Sequence, residues 1–267
     1  MIHVYTIVYD NASFLELQFH SFRKHFPLQR FIVIDNAPNP EVSNDIKNFV
    51  TTHQKCYSIR VANPRFDNGG LSHQRALQTA LDHMEGISII CDPDVFVLKP
   101  FMESMDDYEF AGLMQGTPDV RYLWPGFMIV ATYALKDKLD LRGALVNPND
   151  LNDFIVPDPA AGWTWEQYPY QIQTRISTDS GGLLCRYIQK HNPKIRELSL
   201  DFCTEICDNT GIIPVGLQHK YSDLYHFWVI GGGVLHSGRL SNWDNRPSNE
   251  VAAKSELVRE IIEHYLR

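Results

Sequence analysis

The hydrophobic positions of residues 3 to 91 switch repeatedly between a strand period and a helix period. His3 to Tyr9 is rich in β-branched and aromatic side chains and reads as a strand. Leu15, Phe19, Phe22 and Phe26 recur at intervals of 4, 3 and 4, which is one face of a helix that Pro27 ends. Ser13-x-x-Glu16 ahead of it is a capping-box pattern. Phe31 to Asp35 is a short apolar strand, and Val42, Ile46 and Phe49 mark a second helix. Tyr57 to Ala62 predicts a third strand with Tyr57, Ile59 and Val61 on one face. Leu77, Ala80, Leu81 and Met84 stripe a third helix, and Ile87 to Cys91 is a fourth strand, apolar apart from Ser88. This β-α-β-α-β-α-β order predicts an α/β fold with a mostly parallel central sheet and helices on both faces. Burial from both sides explains strands that are apolar at nearly every position.

The later chain is less regular. Residues 147 to 170 hold Pro148, Pro157, Pro159 and Pro169 among Asn, Asp and Gly, a long loop region of the kind that often carries function. Thr178 to Lys190 predicts a helix capped by Thr178 or Asp179. Val251, Leu257, Ile261, Ile262 and Tyr265 make Glu250 to Tyr265 amphipathic. The expected organisation is one domain in two halves, residues 1–105 and 106–249, followed by a C-terminal amphipathic helix over 250–267.

Composition narrows the classes of function. Of 267 residues, 44% are apolar and 21% charged, which fits a globular chain. Asp and Glu outnumber Lys and Arg by 32 to 24, a net charge of −8, so no basic field for coating nucleic acid is present. No apolar run approaches the ~18–20 residues of a membrane span. The N-terminus, Met1-Ile2-His3-Val4, shows no leader pattern and reads as the start of the fold. Five cysteines, an odd number without framework spacing, favour a reducing compartment. Cys203-x3-Cys207 is the one close pair, and no second pair or His-x3-His follows it to complete a zinc site.

The sharpest chemical feature is Asp92-Pro93-Asp94, directly after the fourth strand. Ligands of open α/β sheets gather at the carboxyl ends of the strands. Two carboxylates there can hold a hard divalent cation that also grips phosphate oxygens. Elsewhere Asp-x-Asp is often a surface turn, so placement decides the reading. Asp10 and Asp35 follow the first and second strands at the same edge. A carboxylate there can accept hydrogen bonds from a base or a ribose, although Asp10 serves a turn equally well. Asn68-Gly69-Gly70 precedes the third helix and allows backbone N–H groups to approach a phosphate or sugar. Neither a Walker loop nor a dinucleotide fingerprint is present.

Together, Asp35, the Asn68-Gly69-Gly70 loop and Asp92-Pro93-Asp94 resemble the pattern of GT-A-fold glycosyltransferases, most closely the large bacterial inverting group called family two. The resemblance covers roughly residues 1 to 105 and is looser beyond. It implies a GT-A fold and a nucleotide-sugar donor, with a UDP-sugar favoured, bound by Asp10, Asp35, Asn68, Gly69 and Asp92 in the first half. It implies Mn²⁺ or Mg²⁺ held by Asp92 and Asp94, with Asp94 the more direct ligand. The second half would bind a glycan or lipid-linked acceptor, in a cytoplasmic enzyme that is free or peripheral at the membrane.

The same resemblance points to three further positions. Asp179, in Thr178-Asp179-Ser180-Gly181-Gly182, matches the place of a catalytic base, and helix capping is the competing role. His236, after Gly231-Gly232-Gly233, matches a late metal-binding histidine, with His226 and His219 as alternatives, and a mixed oxygen and nitrogen site favours Mn²⁺. Among Trp163, Trp165, Tyr168 and Tyr170, one or two are expected to contact the acceptor, with Trp163 and Trp165 foremost. Trp124-Pro125-Gly126-Phe127 reads as a turn bordering the donor sugar. The expected reaction is metal-dependent glycosyl transfer to an acceptor hydroxyl with inversion. The alternatives are a retaining transferase, a nucleotide-sugar-binding module without transfer, and a nucleotidyltransferase, against which Asp10-Asn11 argues because that class needs a basic loop after the first strand.

Overall fold

The computed structural model describes residues 2–61, 69–101, 105–117, 120–134, 145–146, 155–156, 184, 187–188, 191–203, 210–222, 225–238 and 248–267. Strands β1 (Ile2–Val8), β2 (Leu28–Asp35), β3 (Cys56–Arg60) and β4 (Ile87–Cys91) alternate with helices α1 (Leu15–His25), α2 (Pro40–Thr52) and α3 (Gly69–His83). After β5 (Val95–Val97) come the long strands β6 (Phe110–Thr117) and β7 (Val120–Ala131). Two short strands, β8 (Leu145–Val146) and β9 (Ile155–Val156), pair with each other. β10 (Ile195–Glu197), β11 (Leu200–Cys203), β12 (Phe227–Ile230), β13 (Val234–His236) and helix α4 (Ser248–Leu266) follow.

The central sheet has seven strands in the order β10-β6-β7-β4-β1-β2-β3. β7 is antiparallel to both neighbours, and the remaining pairs are parallel. The fold is therefore α/β with a mixed, mostly parallel sheet, as the alternating pattern predicts. Period-two alternation in β1 explains the layering. Val4 and Val8 face one side, against Phe19 and Phe22 of α1 and Ile46 and Phe49 of α2. Tyr5 and Ile7 face the other, against Ala76, Leu77 and Ala80 of α3. A second sheet, β11-β12-β13-β5, packs with α4 through Phe96, Phe227, Leu235, Leu257 and Ile261.

One local expectation is corrected. Helix α1 begins after Phe14, which has helical dihedrals and no side-chain cap, so Ser13 and Glu16 form no capping box. Asn11 accepts from the Ser13 N–H at 2.9 Å, an Asx turn that leads the chain into the helix. Tyr57 is 51% exposed, because β3 is the edge strand and the sheet's cover runs out there. Ile59 and Val61, nearer the centre of that face, pack against the α3 cluster.

Asn68, Trp163, Trp165, Tyr168, Tyr170, Asp179 and Cys207 lie outside the described residues. The helix read over Thr178 to Lys190 falls mostly there too, although Leu184, Tyr187 and Ile188 are helical, with Leu184 and Tyr187 buried.

Candidate functional site

β4 ends at Cys91 because Pro93 has no N–H to extend the ladder and the chain turns there. The Val95 N–H donates to the Asp92 carbonyl at 3.3 Å and closes the turn. Behind it stands Gln18, fully buried on α1. Its Nε2 donates to the Asp92 carbonyl at 2.7 Å and to the Val95 carbonyl at 2.9 Å. From the other side, the Asp92 N–H donates to the Gly126 carbonyl at 2.9 Å. The Asp-Pro-Asp loop is thus pinned through its backbone by α1 and β7, leaving both carboxylates at the carboxyl end of β4. Asp92 Oδ1 lies 3.3 Å from Nε2 of His73 on α3.

Asp94 is 1% exposed. Ser237 donates its N–H to the Asp94 carbonyl at 3.0 Å, and its hydroxyl lies 3.5 Å from Asp94 Oδ2. Asp94 Oδ1 lies 3.5 Å from His236 Nε2. A hairpin delivers this histidine: β12 and β13 pair Trp228 with His236 and Ile230 with Val234. Gly231 and Gly232 turn the loop between them with φ of +58° and +71°, a region costly for side chains with a Cβ. The glycine run therefore folds β13 back onto β12, and the other side of β13 pairs with β5, where His236 stands opposite Val95.

Asp92, Asp94 and His236 bring one ligand atom each to within 4.8 Å of one another. His219 and His226 are exposed and stand outside this group. The donor chemistry fits a divalent ion. Two carboxylates and one imidazole suit Mn²⁺ or a similar metal. A carboxylate as buried as that of Asp94 is costly unless a cation compensates it. Cys91, next to the loop, adds no thiolate, because burial first and then the Asp92 charge push its thiol well above the usual range.

Trp124 and Trp228 enclose the histidine, with ring centroids 4.8 Å and 5.2 Å from that of His236. Trp124 does not sit in a turn, as the sequence suggests, but in a bulge of β7. Met114 pairs with Leu123 and Gly112 with Met128, so residues 124–127 stand opposite Leu113 alone. That irregularity accommodates Pro125 inside a strand. Gly126 leaves room for the indole: a Cβ on it would lie 2.1 Å from Trp124 Cζ2.

The other strand ends form a second patch at the same edge. Asp35 closes β2 and is 4% exposed. Among the described residues, every hydrogen bond to its carboxylate goes to Oδ1, from the Ala37 N–H, the Ser43 hydroxyl and Arg60 of β3. Beside it, Asn36 donates from Nδ2 to the Ser72 carbonyl at 3.2 Å and to its hydroxyl at 2.9 Å, tying β2 to α3. Its Oδ1 is buried and has no hydrogen-bond partner among the described residues. Asp10 lies half-buried two residues past β1, and Gly69 opens α3. Sequence reasoning missed Gln18, Asn36, His73 and Ser237. Only Asn36, adjacent to Asp35 at a strand end, carried a readable signal. Among the described residues no helix is long and apolar enough to cross a membrane.

No protein-family model matches the chain. No curated protein matches it either. Among solved structures, the mannosyltransferase PcManGT from Pyrobaculum calidifontis, in complex with GDP-Man and Mn²⁺, is 12% identical at a TM-score of 0.44, over 99% of this chain and 73% of its own. A nucleoside-diphosphate-sugar pyrophosphorylase from Vibrio cholerae is 11% identical at 0.40, over 74% of this chain and 91% of its own. An active-site mutant of LgtC is 13% identical at 0.38, over 49% of this chain, and the match spans 57% of LgtC. These likenesses concern the course of the chain, and at such identities and TM-scores none assigns an activity to it.

Proposed function

We propose that the chain is a metal-dependent glycosyltransferase that moves a sugar from a nucleotide-sugar donor to an acceptor hydroxyl. The observation that supports this reading is the meeting of Asp92, Asp94 and His236 at the carboxyl end of β4, beside the strand ends that hold Asp35 and Asn36. In the reading, Asp92, Asp94 and His236 hold Mn²⁺ or Mg²⁺. Asp10 and Asp35 receive the base and ribose of the donor, with a UDP-sugar favoured, Asn68 and Gly69 approach its phosphate or sugar, and the buried Asn36 Oδ1 accepts from a base or ribose donor. A divalent ion bound there supplies positive charge to the diphosphate as it leaves.

Asp179 takes the proton of the acceptor hydroxyl. The bond from the acceptor oxygen to the anomeric carbon forms as the bond from that carbon to the diphosphate breaks. The nucleoside diphosphate departs from the opposite face, which inverts the centre. Trp163 and Trp165 contact a glycan or lipid-linked acceptor.

The test is thermal shift with UDP, GDP, dTDP and CMP, each with Mn²⁺ or with EDTA. A nucleotide at ~100 times its Kd adds about 2.7 kcal/mol, which is on the order of 5–10 °C for a chain of this size. One nucleotide is expected to shift the protein with Mn²⁺ only, and Asp94→Asn is expected to remove the shift. No shift with any nucleotide overturns the reading. Asp179→Asn is expected to keep the shift and lose sugar transfer, whereas unchanged turnover removes Asp179 from the mechanism and points to retention.

A further inference from the structure

A second group of ligating atoms lies on the solvent side of α1. Glu16 Oε1 is 3.9 Å from Nε2 of His20, one turn further along the helix. It is 4.0 Å from Nε2 of His53, the residue that follows α2. One ligand atom from each of the three lies within 4.8 Å of the others. These residues take no part in the proposed transfer reaction. Glu16, freed from the capping box its sequence context suggests, turns toward the two imidazoles instead.

His53 is prepared for this role. Its Nδ1 lies 2.9 Å from the Phe49 carbonyl and 3.0 Å from the Thr52 hydroxyl. A carbonyl only accepts, so Nδ1 carries the proton of the neutral ring and Nε2 presents its lone pair to Glu16 and His20. Metal-binding histidines are commonly fixed in this way by a carbonyl on the far nitrogen. The ring is also packed, with the Phe49 centroid at 4.5 Å and the Phe19 centroid at 5.4 Å. His20 packs on the same Phe19 ring at 5.3 Å. Ligands of a tetrahedral ion with bonds of ~2.0–2.2 Å stand about 3.3–3.6 Å apart. Closing the remaining gap takes rotation of two side chains, Glu16, which is 69% exposed, and His20, which is 41% exposed.

We propose that Glu16, His20 and His53 form a second metal site. It takes a divalent transition ion with a preference for imidazole, such as Zn²⁺, and ties α1 to the end of α2. Two nitrogen ligands and one carboxylate discriminate against Mg²⁺ and Ca²⁺, which take oxygen. With three protein ligands, a fourth position is left for water.

The test is calorimetric titration of Zn²⁺ into the Asp94→Asn protein, in which the group at β4 is disabled, with Mg²⁺ titrated in parallel. Zn²⁺ is expected to bind and to raise the melting temperature, and Mg²⁺ at the same concentration to do neither. Glu16→Gln alters an exposed side chain and His20→Ala a half-buried one, and both variants are expected to fold. Each removes a direct ligand and is expected to weaken Zn²⁺ binding by at least the ~10–100-fold that loss of a supporting partner costs. Absence of Zn²⁺ binding, or binding that survives both substitutions, overturns the assignment. The outcome is independent of nucleotide binding, so the transferase reading and this site fail separately.

Discussion

Gln18 Nε2 donates to the main-chain carbonyl of Asp92 at 2.7 Å, across 74 residues of sequence. The same amide group reaches the Val95 carbonyl at 2.9 Å, so one side chain satisfies both ends of the Asp-Pro-Asp loop from inside α1. Gln18→Leu keeps the size and removes the donors. The Asp92 carbonyl keeps its 3.3 Å bond from the Val95 N–H, while the Val95 carbonyl loses its Gln18 donor, and a buried acceptor left without a donor costs about 1–3 kcal/mol. The urea midpoint is expected to fall accordingly, and Mn²⁺-dependent nucleotide binding to weaken with it, because the loop loses its inner support. A midpoint unchanged from the parent protein would show that another donor holds the loop.

This dependence explains what the amino-acid sequence reveals and what it hides. β1 to β4 are legible because each is bounded by a change of period, and Asp92-Pro93-Asp94 is legible because it follows such a strand. His236 is marked by the three glycines before it, which only a turn requires. Gln18 carries no such mark. It lies on the buried side of α1 among Leu15, Phe19 and Phe22, where pattern alone shows it, like Ser21, as a polar residue on an apolar face. Its role depends on carbonyls that the fold brings to it from far along the chain. Trp124 is hidden for a related reason. A bulge is a mismatch between two strands, so no local pattern in β7 alone announces it.

His3 links stability to acid. Burial lowers its pKa below the ordinary 6.5, against a smaller opposing effect of Glu85. The unfolded chain therefore binds more protons than the folded one between the lowered value and 6.5, and stability rises with pH across that window. The contribution is complete above 6.5 and is lost as pH falls through the folded value. His25 is shifted the same way, also mainly by burial. His3→Leu is expected to flatten, without abolishing, the acid slope of denaturation midpoints. An unaltered slope would leave His25 or other groups as its source.

Cys56 is a structural thiol. Burial pushes it up to about 12, despite the opposing charge of Arg23, and the side chain is 7% exposed in the cluster beneath α1 and α2. The thiolate is the reactive form. At pH 8 the native protein is expected to leave Cys56 unmodified by iodoacetamide, whereas the protein in urea is alkylated there. Peptide mass spectrometry reads the difference. Rapid alkylation of the native protein at Cys56 would mean that β3 opens at the edge of the sheet.

Gly126 connects the two halves of the carboxyl-edge group. Its carbonyl accepts from the Asp92 N–H, and its missing side chain makes room for the Trp124 indole that meets His236 edge to face. Alanine at this position meets the indole at 2.1 Å. Either the indole leaves His236 or the bulge shifts and pulls the Asp92 bond with it. Forcing a methyl group into so close a contact costs about 1–3 kcal/mol. Gly126→Ala is therefore expected to destabilise the protein by that amount and to change the tryptophan emission. Because both consequences disturb the Asp92, Asp94 and His236 group, Mn²⁺ affinity is expected to drop at the same time. Trp124→Phe in the alanine background relieves the clash with a smaller ring and is expected to recover part of the stability. Recovery of Mn²⁺ affinity in that pair assigns the loss to the crowded indole. Restored stability with affinity still lost assigns it to the Asp92–Gly126 hydrogen bond.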